Sequence, residues 1–362
     1  MSESNGSAFM RRALELAREG WGQTAPNPMV GAVVVRGGAV VAEGAHRRYG
    51  APHAEAVALA AAGDRARGST LYVTLEPCTH HGKTPPCADA VVAAGVARVV
   101  VAARDPNPQA GGGVERLRAA GIAVEVGDEE AAARELNASY FHRFSNPERP
   151  FVTLKLAVSI DGAIAAADRS ARTHLTGAES NREVHRLRAG HDAVAVGIGT
   201  VLVDDPQLTV RQGTPPRVPP ARVVFDSTLR VSLESALVRT AREVPLVLVA
   251  RHPDAARARA LEAAGARVVV ATALSEALLQ LAGQGIGSLF VEGGAHLAGA
   301  FLSASAVDRL IIFRTPVVLG AGALNAFAHA PPADVARLHR LPVIHRQRFG
   351  HDVMTTYALG AP

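Results

Sequence analysis

Cysteine is almost missing from this 362-residue chain, with Cys78 and Cys87 the only two. In a reducing compartment so few thiols point to a metal or a catalytic role rather than to a disulfide framework. Aromatic residues are scarce as well, at 4%, which leaves little for the base-stacking platforms that bind single-stranded nucleic acid. The richest apolar run, Val91 to Ala103, is broken by Arg98, so nothing approaches the roughly 18 apolar residues of a membrane span. The opening MSESNGSAFMRRALELAREGW lacks the apolar core of a secretory signal, and a cytoplasmic location is expected. What remains is ordinary for a globular protein, 48% hydrophobic and 20% charged. At about 100–200 residues per domain the length favours two domains. The net charge of +5 is spread among interleaved Arg, Asp and Glu, a pattern that does not single out a nucleic-acid partner.

Turn-forming residues cluster in HRFSNPERP, His142 to Pro150, after a helical stretch and before the apolar FVTLKLAVSI. This places a boundary between a first domain, 1–145, and a second, 150–362. Before the boundary the pattern reads as a helix at Phe9–Glu19 and a hairpin of Val30–Val35 with Ala39–Glu43. Helices follow at His53–Ala62, Cys87–Ala94 and Gly113–Ala120, alternating with strands at Thr70–Leu75, Arg98–Ala103 and Ala123–Val126. Alternating strands and helices define an α/β class. The second domain repeats the alternation, with strands near Phe151–Val158, Ala193–Val196, Arg222–Phe225, Leu246–Val249, Val268–Val270 and Ser288–Val291. The four prolines of Arg211 to Pro220 forbid regular structure there.

Three short elements of the first domain carry chemistry: His53-Ala54-Glu55, Pro77-Cys78 and Pro86-Cys87. One His and two Cys supply three zinc ligands and leave the fourth tetrahedral position open, the arrangement of a catalytic rather than a closed structural site. Glu55, next to a ligand and not itself one, suits the proton carrier of zinc deaminases. Residues i and i+2 do not share a helix face, so His53 and Glu55 reach one pocket only where a helix begins, and Pro52 marks that beginning. Pro86 opens a second helix in the same way, and a helix start should lower the thiol pKa of Cys87. Taken singly these signals are commonplace, since a His and a Glu near a helix start usually cap and two buried cysteines usually pack. Their combination is what carries weight. Gly82-Lys83-Thr84 imitates the tail of a P-loop, but the glycine required five residues before Gly82 is Pro77. His80, His81 and Lys83 between the cysteines are candidates for substrate contact.

TLEPCTHHGKTPPC, Thr74 to Cys87, with PNPMVG at Pro26 to Gly31 and PHAE at Pro52 to Glu55, resembles the deaminase half of the bifunctional riboflavin-pathway deaminase/reductase family. The resemblance implies a cytidine-deaminase-like α/β/α domain with His53, Cys78 and Cys87 on Zn2+, Glu55 as proton donor and Asn27 on the pyrimidine edge. In the second domain, LKLAVSIDG at Leu154 to Gly162, DDPQLTVR at Asp204 to Arg211, VFDS at Val224 to Ser227 and VEGG at Val291 to Gly294 are similar to the reductase half of the same family, in order. That implies a dihydrofolate-reductase-like α/β domain using NADPH. Ala157, His174, Thr200, Asp204, Ser227 and the run Gly294, Ala295, His296, Leu297, Ala298, Gly299 and Ala300 would contact the cofactor. Arg172, Arg188, Leu208, Arg211 and Glu292 would contact the ribose phosphate substrate, and Lys155 would polarise the carbon that accepts hydride. Read from the residues alone, Glu292-Gly293-Gly294 before AHLAGAFL and the VGIGT of Val196 to Thr200 offer bare backbone amides after a strand. No G-x-G-x-x-G follows a strand, which argues against a Rossmann site. One departure stands out: where the family reads S-x-W-I, this chain has Arg172-Thr173-His174-Leu175.

The expected activity is hydrolytic deamination of 2,5-diamino-6-(5-phosphoribosylamino)pyrimidin-4(3H)-one, followed by NADPH-dependent reduction of the ribosyl to the ribityl chain. Assembly into a homodimer or homotetramer is expected, without nucleic-acid or membrane partners. Two rivals belong to other classes. A base-editing protein would show salt-dependent RNA binding, and a structural zinc module would need a fourth protein ligand, for which His80 and His81 are the candidates.

Overall fold

The computed structural model describes residues 3–168, 173–330, 332 and 340–359. The chain divides into two compact units, Met1–Ser145 and Asn146–Pro362.

The first unit runs α1 (Glu3–Ala17), β1 (Gly31–Arg36), β2 (Ala39–Ala45), α2 (Ala54–Ala62), β3 (Thr70–Leu75), α3 (Cys87–Ala93), β4 (Arg98–Ala103), α4 (Gly113–Ala119), β5 (Ala123–Val126), α5 (Glu130–Leu136) and α6 (Ala138–Ser145). Its five strands form one sheet in the order β2-β1-β3-β4-β5. β1 is antiparallel to both neighbours, and β3, β4 and β5 are parallel. Successive strand residues face opposite sides, and here both sides are apolar, so helices must cover both. Ala32, Val34, Leu71, Val73, Val99 and Val101 pack with Ala58 of α2, Val91 of α3 and Leu117 of α4. Val33, Val35, Tyr72 and Val100 pack on the other side with Met10 and Leu14 of α1, Ala133 of α5 and Phe141 of α6. The result is three layers, helix on sheet on helix.

The second unit runs β6 (Phe151–Val158), β7 (Ala163–Ala165), α7 (Ala178–Ala189), β8 (Ala193–Gly197), α8 (Ile198–Asp204), β9 (Ala221–Phe225), α9 (Ala236–Arg239), β10 (Leu246–Ala250), α10 (Ala255–Ala263), β11 (Arg267–Val270), α11 (Leu274–Gly283), β12 (Ser288–Val291), α12 (Ala295–Ser303), β13 (Arg309–Arg314), β14 (Leu324–Asn325), β15 (Val343–Phe349) and β16 (Asp352–Ala358). Nine of these strands make one sheet, ordered β11-β10-β9-β8-β12-β6-β13-β16-β15. It is parallel from β11 to β13 and antiparallel through β16 and β15. Val152, Leu154, Leu156 and Val158 turn one face of β6 toward Leu278 and Leu281 of α11 and Phe301 of α12.

The sequence reading assigned no strand beyond Val291, and β13, β15 and β16 correct it. β13 holds four apolar residues between Arg309 and Arg314, a run too short for periodicity to separate strand from helix. β15 is an edge strand, VIHRQRF, almost wholly exposed; charged edges block pairing with other chains and also erase the alternating signal.

The second unit buries a histidine that no site uses. The imidazole of His191 donates through Nδ1 to the Leu187 carbonyl at 2.8 Å and accepts through Nε2 from the Thr153 hydroxyl at 3.0 Å. Burial lowers its pKa from 6.5 to about 4. The unfolded chain therefore binds the extra proton between those values, and folding stability falls as the solution is acidified through that window. The cost approaches about 3 kcal/mol by the lower end. Urea unfolding at pH 7 and pH 5 should show a smaller pH dependence in His191→Gln than in the wild type; equal dependence refutes the assignment.

Candidate active sites

In the first unit, the starts of α2 and α3 each deliver one of the three candidate ligands. His53 is the N-cap of α2, with extended backbone, and Cys87 is the first residue of α3 behind Pro86. Cys78 follows β3 on a loop. The His53 Nδ1 lies 3.6 Å from the Cys78 sulfur and 3.3 Å from the Cys87 sulfur, and all three ligand atoms lie within 4.8 Å of one another. With metal–sulfur bonds of about 2.3 Å and metal–nitrogen bonds of about 2.0 Å, neighbouring N and S ligands of a tetrahedral zinc sit about 3.5 Å apart. The donor set and its spacing fit zinc, and it is the one such group of three among the described residues.

Two close approaches hold this arrangement. Gly44 of β2 lies against the start of α2, where an added Cβ would sit 2.2 Å from the Ala54 carbonyl oxygen. At Gly113, the first residue of α4, a Cβ would sit 1.9 Å from the Pro77 carbonyl oxygen, next to Cys78. Only a residue without a side chain allows either contact. Glu76, 4% exposed, fastens the same loop by accepting the Val114 N–H at 2.9 Å and the Asp105 N–H at 3.1 Å.

Glu55 is 3% exposed in the first turn of α2. Burial, opposed by its own backbone N–H, pushes its carboxyl up to about 7. Without a metal the two thiols share one proton. Cys78 is the depressed one, at about 4, through a hydrogen bond from the Cys87 thiol that outweighs burial; Cys87 is pushed up because it keeps the shared proton. The physical reason is direction. The first N–H of α3, that of Cys87, points at the sulfur of Cys78 at 3.5 Å, so the helix start favours thiolate on the partner rather than on its own residue.

Sequence reasoning missed two groups on the His53 ring. The Thr84 hydroxyl lies 3.5 Å from His53 Nε2, where it can fix the tautomer that leaves Nδ1 for a metal. His46, 2% exposed, stands edge-on with ring centroids 5.1 Å apart and approaches the Pro52 carbonyl through Nδ1 at 3.2 Å. Thr84 lies in the loop the sequence singled out; nothing local marks His46. His80 and His81 are exposed, and Lys83 sits over the Tyr49 ring at 4.2 Å. Asn27 is half-buried in the turn before β1.

In the second unit the implied residues gather at the carboxyl ends of the central parallel strands, where open α/β sheets bind ligands. Leu154 and Val291 are register partners, so Lys155 and Glu292 lie side by side one step further. Ala157 follows on β6, Thr200 and Asp204 lie on α8 after β8, and Ser227 follows β9. Lys155 Nζ is 5.6 Å from the Phe313 ring centroid. Gly294 is the N-cap of α12. Within the rest of the run, His296 and Ala300 are exposed whereas Ala295, Leu297, Ala298 and Gly299 are buried. His174 is exposed in the coil before α7, and Arg172 lies outside the described residues.

Arg188 and Glu292, expected to touch substrate, first grip each other. The guanidinium of Arg188 donates through Nε and Nη2 to the two oxygens of Glu292 and through Nη1 to the Thr209 carbonyl at 3.0 Å. Two of its five N–H groups remain for a ligand. Burial opposes ionisation of Glu292, but Arg188 alongside holds its carboxyl below the usual range. Leu208 is buried and takes a left-handed φ of 54°, which turns the chain sharply before Arg211.

Comparison with known proteins agrees with this picture. A family profile described as the RibD C-terminal domain matches residues 150–354, and one described as the cytidine and deoxycytidylate deaminase zinc-binding region matches residues 3–103. The riboflavin biosynthesis protein RibD of Aquifex aeolicus (strain VF5) is 44% identical over 317 residues, which cover 87% of this chain and 88% of that protein. The solved structure of Acinetobacter baumannii RibD superposes with a TM-score of 0.83 at 35% identity, covering 98% of this chain and 99% of that one. A Thermotoga maritima structure described as a diaminohydroxyphosphoribosylaminopyrimidine deaminase/5-amino-6-(5-phosphoribosylamino)uracil reductase gives a TM-score of 0.83 at 33% identity, with coverage of 98% and 99%.

Proposed function

The chain belongs to the RibD family of riboflavin-biosynthesis proteins, which join a deaminase to a reductase, and from that premise we propose how its residues divide the work. The first unit deaminates and the second reduces. The observation that carries the reading is the trio of His53 Nδ1 and two cysteine sulfurs at tetrahedral spacing, with Glu55 buried beside it.

His53, Cys78 and Cys87 hold Zn2+, which when bound acts as a Lewis acid that makes water nucleophilic near neutral pH. Glu55 takes one proton from the attacking water at its carboxylate and passes it to the ring nitrogen, then carries a second, from the hydroxyl of the adduct, to the leaving amine. Water adds at C2 of 2,5-diamino-6-(5-phosphoribosylamino)pyrimidin-4(3H)-one, the C2–N bond breaks, and ammonia leaves 5-amino-6-(5-phosphoribosylamino)uracil. Asn27 orients the pyrimidine edge.

In the second unit NADPH, when bound, would supply hydride to C1 of the ribosyl group as the bond from C1 to the ring oxygen breaks and that oxygen takes up a proton, which opens the ribosyl to the ribityl chain. Ala157, His174, Thr200, Asp204, Ser227 and the Gly294–Ala300 segment hold the cofactor, with Arg172, Arg188, Leu208, Arg211 and Glu292 around the ribose phosphate. Arg211 and Arg188 suit forked bonds to phosphate, and Lys155 polarises the accepting carbon. We place the enzyme in the cytoplasm as a homodimer or homotetramer, which light scattering on the purified chain checks. The described residues contain no helix long and apolar enough to cross a membrane.

Incubating the protein with the diaminopyrimidine ribotide, with and without NADPH, tests the whole reading by mass spectrometry. Amine-to-carbonyl exchange is expected without cofactor, and addition of two hydrogens only with it. Arg211→Ala should raise the KM for the deaminated ribotide about tenfold or more and leave that for NADPH nearly unchanged, since charged hydrogen bonds contribute about 1.5–3 kcal/mol. Equal effects on both would argue against phosphate contact.

A further inference from the structure

The turn that carries Arg211 is gripped from α7 by two side chains one helical turn apart. Arg188 donates to the Thr209 carbonyl at 3.0 Å. Three residues earlier on the same helix, His185 accepts the backbone N–H of Arg211 at its Nδ1, 3.2 Å away. Residues three apart share a helix face, so α7 reads both the carbonyl and the amide side of one short segment. Leu208 enters that segment with its left-handed φ of 54°, a conformation an L-residue adopts at some cost and keeps where the surroundings impose it.

We infer that His185 is a positioning residue for the reduction: by accepting the Arg211 amide it fixes the turn from which the Arg211 side chain meets the substrate phosphate. This rests on the assignment of Arg211 to the phosphate given above. His185 itself is 7% exposed and lies behind the arm. Because Nδ1 accepts, the neutral ring carries its hydrogen on Nε2. The charged groups around it are Arg188 on its own helix, Arg211 on the turn and Glu292 after β12. Burial first, and then the two cations, outweigh Glu292 and the Thr209 carbonyl, which favour the charged ring, and so favour the neutral ring that the hydrogen bond requires. The Glu292–Arg188 pair ties the same turn to the start of the β12–α12 loop. The phosphate arm and the glycine loop thus share one support, with His185 securing its outer end.

Two replacements of the full-length enzyme separate positioning from packing. His185→Phe fills the space without an acceptor; His185→Asn leaves a cavity but keeps an acceptor close to the position of Nδ1. With the deaminated ribotide, His185→Phe should raise KM about five- to tenfold with kcat and the KM for NADPH near wild type, the size expected for one buried hydrogen bond. His185→Asn should recover to within about twofold of wild type. With the dephosphorylated riboside, kcat/KM should be the same for wild type and both variants. An unchanged ribotide KM in His185→Phe overturns the inference, as does equal damage in His185→Asn or an equal loss on the riboside. Arg211→Ala is assayed alongside. If it fails to distinguish ribotide from riboside, the phosphate assignment falls and this inference with it. If it distinguishes them while His185→Phe does not, the positioning role alone falls.

Discussion

Replacing Glu55 with glutamine should lower the rate of deamination by a factor of about 10² to 10⁴, the range over which a positioned general acid–base group acts. Glutamine matches the shape of the side chain, which matters for a residue only 3% exposed, but it has no carboxyl to take up and return a proton. Zinc content, measured by mass spectrometry of the metal, should remain near one per chain because Glu55 is not among the three ligand atoms. Reduction of a substrate supplied already deaminated should proceed at the wild-type rate. Loss of both activities in a folded protein would contradict the division between the units.

The second large effect is mechanical. Gly44→Ala drives a methyl group into the Ala54 carbonyl oxygen, and backbone cannot swing aside as the tip of a flexible side chain can. Overpacking of this kind destabilises by about 1–3 kcal/mol, and here the element displaced is the start of α2, which carries His53 and Glu55. Metal content and deamination should therefore fall together, and thermal unfolding of the first unit should come earlier, while reduction persists. A variant that binds zinc normally would show that the close approach is not what sets the ligand geometry.

The cluster of His53, Cys78 and Cys87 was legible in the sequence because zinc chemistry restricts residue type and because a proline precedes each of the three, at a helix start for His53 and Cys87 and on the loop after β3 for Cys78. What the sequence did not reveal depends on segments that meet only in the fold. His46 approaches His53 from the end of β2, and Glu76 bonds backbone groups about 30 and 40 residues further on at Asp105 and Val114; a single strand or helix pattern holds no trace of either. Which sulfur the first N–H of α3 faces is likewise a matter of three-dimensional direction, and it is that of Cys78. In the second unit the order of the central elements could be read from apolar runs, whereas the exposed edge strand β15 could not. His185 was passed over because its partner is a backbone amide, which no side-chain motif records.

The sheet order of the second unit also governs how the chain comes off the ribosome. β6, the first strand made, is flanked by β12 and β13, so its partners appear roughly 130 residues after Val158, beginning at Ser288. At about 5–20 residues per second that interval is on the order of 10 s. During it, the apolar side chains of β6 have nowhere native to go. The first unit faces no such delay, because β1 pairs with the next two strands to emerge. Translation that stops before β12 should therefore yield an active, zinc-loaded deaminase trailing an aggregation-prone stub.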